Sequence, residues 1–487
     1  MRPIATRFLI SSAIVWLVLS VVSDIGHATP IVMPKDPGAR PTTAPSRTSK
    51  PLCFDAKPLP GLTQAEEKLF CSGAEDFAKK NTVKEDGLGP TFNFISCRGC
   101  HVHPASGGSS PLGANPQYEF ARKYLRATND IPFFIRPNGP IMVARLKWKP
   151  DGTPDGGVHA LFTIAGLEEA DGCRLRQRHG DWTKEDPNNI TNRIPTPTLG
   201  AGLIEQIDDA TILKNLDYQG TRVFEGGVRV ALGRPNMVPP FQVNGIGLTG
   251  RAKENRNGND GTIARFGWKA QNKSLVIFAG EAYNVEMGIS NEVFPTERDE
   301  SKECQFHSVP NDTSHPEHLF DADPEKRLDA LSDVEKLATF MRLLAPPERS
   351  SDVSSDWRSI RAGEQVFDNI GCSTCHTPTL RTSPLSASAA LRNKPVNLFS
   401  DLALHKMGAD LDDGISQGEA RGDEFRSAPL WGLGQRVWFL HDGRTKDLVN
   451  AIEYHSSPGS DANGVIDLYR KLSDSQKQDL VNFLRSL

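Results

Sequence analysis

Cys97-Arg98-Gly99-Cys100-His101 and Cys372-Ser373-Thr374-Cys375-His376 decide how this chain is read. In each, two thiols stand three residues apart with an imidazole directly after the second. At that spacing two cysteines can add to the vinyl groups of a haem while the histidine ligates its iron. Two Cys-x-x-Cys motifs would also serve a zinc site or a dithiol redox centre. Neither chemistry gives a reason for histidine in the same place twice. The sequence therefore predicts two covalently bound haem c groups, held by Cys97, Cys100 and His101 and by Cys372, Cys375 and His376.

Working outward, the two motifs sit in halves that share an order of signals. Each half opens with a helix-like stretch bearing Gly and Phe four apart, Gly73 and Phe77 in one and Gly363 and Phe367 in the other, so that both fall on one helix face. Each closes with a capping box, Ser332 with Glu335 and Ser473 with Gln476, ahead of an amphipathic helix. Leu337, Phe340, Met341 and Leu344 mark one apolar stripe, and Leu480, Phe483, Leu484 and Leu487 the other. Pro346 and Pro347 end the first of these helices and begin a polar linker. The expected architecture is mainly α: an N-terminal haem domain over 61–349 and a C-terminal cytochrome c-like haem domain over 350–487. The first is lengthened by an insertion over about 111–237. There Ile141 to Lys149 alternates as a strand and Val158 to Ile164 suits a returning one, so a small β excursion is expected.

The 487 residues allow two large domains with real cores, and 38% hydrophobic content is that of a globular chain. With 56 Lys+Arg against 60 Asp+Glu there is no surplus of positive charge to hold a polyanion, which leaves nucleic-acid binding without support. Arg2 and Arg7 precede an apolar run from Phe8 to Val22, followed by the small residues Gly26 and Ala28. This reads as a signal peptide over 1–28 cut after Ala28, with an uncleaved anchor as the alternative. Its removal leaves no membrane span, and the mature chain is expected in the periplasm. Residues 29–60, rich in Pro, Ser, Thr and Lys, read as a flexible tether. An oxidising compartment makes two disulfides from Cys53, Cys71, Cys173 and Cys304. Three pairings are open, and the favoured one joins Cys53 to Cys71 and Cys173 to Cys304.

Beyond the haem motifs, several segments carry a family resemblance: Gly87-Leu88-Gly89-Pro90-Thr91-Phe92-Asn93, Phe266-Gly267-Trp268-Lys269-Ala270, Glu286-Met287-Gly288-Ile289, Ala428-Pro429-Leu430-Trp431-Gly432-Leu433-Gly434 and Phe439-Leu440-His441-Asp442-Gly443-Arg444. From about Leu62 to the C-terminus the chain resembles the bacterial di-haem cytochrome c peroxidase superfamily, and within it the di-haem oxidoreductase family, also labelled thiol oxidoreductase-like. The resemblance implies a second axial ligand for the C-terminal haem on the segment Leu448 to His455, where His455 takes the place, with Met407 and His405 as rivals. It implies Glu286 as the proton-moving group beside an open N-terminal iron, Met287 as a pocket wall and Trp268 as a bridge between haems. Core packing for Trp268 and a solvated helix end for Glu286 are the plainer alternatives.

Where many di-haem peroxidases hold a distal histidine about sixteen residues after the first motif, this chain has Gln117 and no histidine nearby, so an open or water-ligated iron is expected. His103, His159 and His179 could still reach it. His441 reads as a neighbour of the haem rather than a ligand. Asp442, Arg444, Arg193 and Arg426 are candidates for the haem propionates. The resemblance also implies calcium between the domains, for which Asp410, Asp412 and Asp413 form the best acidic cluster. The function so implied is a peroxidase-like oxidoreductase. A small donor protein, such as a monohaem cytochrome or a cupredoxin, would supply the C-terminal haem, and peroxide or an oxidisable substrate would react at the N-terminal one. The rival is a non-enzymatic di-haem electron carrier.

Overall fold

Two helices can cross with their backbones in contact only where a side chain is missing, and among the described residues each half of this protein has such a place between its opening and closing helices. The computed structural model describes residues 34–40, 53, 55–124, 129–176, 182, 185–220, 233–234, 241–242, 254–255, 263–297, 301–323, 326–349 and 356–487. In the first half the helix Gln64–Ala78 crosses Asp333–Leu343 at Gly73, where a Cβ would run into the carbonyl oxygen of Lys336. In the second, Trp357–Asn369 crosses Asp474–Leu484 at Gly363, where a Cβ would meet the carbonyl of Asp479. One turn on, Phe77 packs on Phe340 at 4.9 Å between ring centres and Phe367 on Phe483 at 5.4 Å. Ser332 with Glu335 and Ser473 with Gln476 form complete capping boxes, which start the second helix of each pair.

The inserted segment supplies a three-stranded antiparallel sheet. Val143–Leu146 is its centre, with Val158–His159 on one edge and Ile190–Arg193 on the other. The single returning strand expected over Val158 to Ile164 is instead broken. Leu161 donates its N–H to the Asn93 side chain and to the Phe92 carbonyl, so the chain changes partner and Phe162–Thr163 pairs with Thr91–Phe92. Cys53 is joined to Cys71 and Cys173 to Cys304. Among the described residues no helix is long and apolar enough to cross a membrane. The leader read over 1–28 lies outside them.

The tether needs correction where it is described. Residues 34–40 lie on the C-terminal half: the buried Asp36 carboxylate pairs with Arg485 at 2.6 Å and accepts from the Leu448 N–H, and Arg40 donates its N–H to Gly434. The Pro-rich composition hid one acid with a buried partner. Nearer the first helix, the Leu59 N–H reaches the Leu343 carbonyl.

Because a Cβ at the crossing forces two backbones apart, Gly363→Ala should destabilise the protein by about 1–3 kcal/mol. Thermal unfolding measures this; an unchanged melting temperature would show that the crossing is not tight.

Candidate functional site

Each Cys-x-x-Cys-His stretch folds into a single tight turn, closed by a bond from the histidine N–H to the carbonyl of the first cysteine: His101 to Cys97 at 2.9 Å and His376 to Cys372 at 3.0 Å. The turn brings both thiols and the imidazole to the wall of one cavity. The cavity at Cys372, Cys375 and His376 measures about 1410 Å³ and the one at Cys97, Cys100 and His101 about 1200 Å³, counting the parts open to solvent. All four motif cysteines are free thiols, and burial pushes Cys97 and Cys372 up to about 12.

The imidazoles are oriented by the backbone. His101 donates Nδ1–H to Gly108 at 3.0 Å, His376 to Phe399 at 3.1 Å and His455 to Ala451 at 2.8 Å. A carbonyl can only accept, so Nδ1 carries the proton in all three and Nε2 keeps its lone pair, the state required of a metal ligand. Burial holds all three below the ordinary imidazole value, His376 at about 4. The His376 and His455 rings stand 6.4 Å apart across the C-terminal cavity. Ring centres at that separation leave room for one metal ion between the two imidazoles, given metal–imidazole bonds of about 2.0–2.1 Å.

The rivals are placed differently. Both ring nitrogens of His405 are engaged, Nε2 with Asp401 at 2.9 Å and Nδ1 with the Cys375 sulfur at 3.4 Å. Met407 lines the same cavity, packed with Trp268 and Phe425. His441 stacks on Phe425 at 4.3 Å.

The N-terminal cavity differs in kind. Among the described residues His101 is its one imidazole. His103 donates to or accepts nothing there, since its Nε2 bonds the Gln435 carbonyl; His159 pairs with Asp155; His179 lies outside the described residues. Gln117 is wholly buried, its amide tied to the backbone of Asn93 and Met142, so it is a framework residue. Glu286 and Met287 both line the cavity from the end of the helix Leu275–Met287. Asn93 donates to Glu286 Oε2 at 2.8 Å and its own N–H bonds the Glu286 carbonyl. This junction needs two glycines, because a Cβ on Gly89 would strike the backbone of Gly288. Trp268 lines both cavities, its indole N–H fixed on the Ile194 carbonyl at 2.9 Å.

Several of the charged residues singled out in the sequence are already engaged by protein groups. Arg193, which lines the N-terminal cavity, is bound by Asp413 at 2.5 Å, both buried, and by Gln417. Asp413 is accordingly no part of a solvated calcium cluster, and among the described residues no group of three His, Cys, Asp or Glu side chains gathers to hold a metal ion. Arg444 is committed to Asp442 and the Asp410 carbonyl. Arg426 lines the C-terminal cavity, where the sequence placed it, and bonds the Gly267 and Ser427 carbonyls.

Sequence reasoning missed two arginines. Arg145, on the inserted sheet, lines the N-terminal cavity; it donates one Nη1–H to the Gly156 carbonyl at 2.7 Å, its Nε is unpartnered among the described residues, and burial pushes it down to about 9. Arg436 lines the C-terminal cavity, has no acidic partner among the described residues, and is pushed down by burial to about 10. No motif marks either one, because lacking a partner is a property of the fold. Thiol pairs, lone-pair imidazoles and guanidiniums with no acidic partner among the described residues, in two apolar-walled cavities, fit two anionic haem groups.

Burial pushes the Asp413 carboxyl up, but the Arg193 and Lys269 charges outweigh it and hold it below its ordinary 3.8. Its stabilising contribution is therefore complete above 3.8 and lost as the pH falls through the lower folded value. Asp413→Asn, which strands two buried cations, should cost about 3–5 kcal/mol at neutral pH. The deficit should shrink in acid; a deficit that grows below pH 3.8 would contradict this charge balance.

A family model described as di-haem oxidoreductase, putative peroxidase matches residues 181–487. No curated protein matches the chain. Among solved structures, hydrazine synthase from Kuenenia stuttgartiensis is 20% identical at a TM-score of 0.20 over 34% of this chain; the alignment spans 56% of that protein's chain. The diheme peroxidase BthA from Burkholderia thailandensis E264 is 15% identical at 0.26, over 62% of this chain and 89% of that one. A MauG-like protein associated with microbial copper homeostasis is 14% identical at 0.28, over 60% and 90%. At these scores the structural likenesses add nothing to the family match.

Proposed function

Because the chain belongs to the di-haem oxidoreductase, putative peroxidase family, whose model spans residues 181–487, we propose that it is an exported di-haem c-type oxidoreductase. It takes in electrons at the C-terminal cavity and reduces peroxide, or oxidises a substrate, at the N-terminal one. One observation carries this reading. Among the described residues the C-terminal cavity faces His376 with a second imidazole, His455, whereas the N-terminal cavity has His101 alone and an acid, Glu286, on its wall.

When bound, the two haems supply redox-active iron, for electron storage in one half and for reaction with peroxide in the other. Cys97 and Cys100, and Cys372 and Cys375, would hold them as thioethers, and the Nε2 lone pairs of His101, and of His376 and His455, would bind iron. Arg145 and Arg436 take propionate carboxylates. Glu286, oriented by Asn93, accepts a proton from one peroxide oxygen and returns it to the other as the bond between them breaks. With two electrons and two protons the products are two waters. Met287 excludes solvent beside it, and Trp268 spans the gap between the cavities. The electrons come from a small donor protein such as a monohaem cytochrome or a cupredoxin. Export to the periplasm is supported by the two disulfides formed by the cysteines outside the motifs.

Electron paramagnetic resonance of the resting oxidised protein should show one high-spin and one low-spin haem; two low-spin signals would leave an electron carrier. His455→Ala should remove the low-spin signal of the C-terminal haem alone. Glu286→Gln should slow peroxide-driven oxidation of the reduced protein by about 10²–10⁴-fold while both haem spectra persist. An unchanged rate would remove Glu286 from the reaction.

A further inference from the structure

A cation sits where the two halves meet, and it belongs to the chain. Lys269 is wholly buried. Its ammonium reaches the backbone carbonyls of Arg421 at 2.7 Å, Gly422 at 2.9 Å and Glu424 at 2.9 Å, all from the C-terminal half. A carboxylate oxygen of Asp413 lies at 3.2 Å, and the face of Phe425 at 3.9 Å from the ring centre. Three N–H donors thus meet four oxygens that converge from one side and an aromatic face. The other oxygen of Asp413 is taken by Arg193, again from the first half. Two cations of one half therefore clasp one anion of the other.

The segment that carries Lys269 is bent to deliver it. Gly267 and Ala270 both have left-handed backbones, φ 85° and 51°, and Ala270 donates its N–H to the Gly267 carbonyl. A non-glycine residue there costs about 1–2 kcal/mol, which docking must outweigh. Trp268, one residue earlier in the same turn, accepts from the Arg426 N–H through its carbonyl at 2.9 Å. The cage that fixes the ammonium thus also fixes the backbone of the residue lining both cavities.

We propose that the Lys269 ammonium is the resident cation of the junction, standing where the family resemblance implied calcium, so that the halves are joined and Trp268 is positioned without a metal ion. A calcium ion would need six to eight oxygens at about 2.3–2.6 Å. The oxygens gathered here are already met by an ammonium at hydrogen-bond distances, and the acid among them is shared with Arg193. The inference stands on contacts between protein groups, independently of the haem roles given above.

The test uses the haem-loaded protein. Wild type dialysed against a calcium chelator should contain no stoichiometric calcium by elemental analysis and keep its melting temperature and visible spectrum. Lys269→Met should lower the melting temperature by more than about 5 °C. In Lys269→Ala, n-propylammonium, which replaces the missing propyl ammonium, should restore most of that loss, while sodium and tetramethylammonium should not. One calcium per wild-type chain, a chelator-induced fall in melting temperature, an unaltered Lys269→Met protein, or an Ala variant indifferent to the amine would each overturn the proposal. None of these readouts depends on turnover, so a failed peroxidase reading and a failed junction reading are told apart.

Discussion

The close crossing of two helices at a glycine is the constraint on which each half is built. At Gly73 and at Gly363 one helix presses its backbone against the partner helix, and the phenylalanines one turn along fill the angle between them. That contact gives each half a rigid apolar floor. Onto it are set the Cys97–Cys100 turn, with Phe77 6.1 Å from the His101 ring, and the Cys372–Thr374 turn, with Phe367 packed on the Phe399 that receives the His376 proton. Geometry this tight leaves little freedom to the imidazoles, whose Nδ1 protons are held by fixed carbonyls.

From equal beginnings the halves diverge in what they bring to the far side of each cavity. The second half closes its cavity with a helix, Leu448–Glu453, whose Ala451 carbonyl turns the His455 ring inward. The first half is closed by the helix Leu275–Met287 and by the inserted sheet, which contribute Glu286 and Arg145 and no imidazole among the described residues. Of these the inserted sheet supplies Arg145 and the helix supplies Glu286.

The same added strands tie the halves together. Ile190–Arg193 ends in an arginine that reaches Asp413, and the Ile194 carbonyl holds the Trp268 indole while its N–H bonds the His441 carbonyl. Buried charges cost solvation, so they persist only with partners of the opposite sign or with dipoles aimed at them. Arg193, Asp413 and Lys269 satisfy one another across the junction, whereas Arg145 and Arg436 line cavities with no acidic partner among the described residues. That contrast separates charges serving the fold from charges available to an anionic group.

The haem motifs, the paired helices with their caps and stripes, and the helical character of both halves were legible from local pattern alone, because a capping box or a Cys-x-x-Cys-His turn is closed by bonds within a few residues. Glu286, Trp268 and His455 were reached through resemblance to a family rather than from their neighbours in sequence. Arg193, Asp413, Arg145, Arg436 and Lys269 were decided only by the tertiary structure. Whether a charge is paired, caged or left facing a cavity depends on partners up to 220 residues away, such as Arg193 and Asp413, and local spacing carries no record of them. The strap at 34–40 makes the same point: a lone acid in a Pro-rich stretch becomes a fixture only when Arg485 is folded beside it.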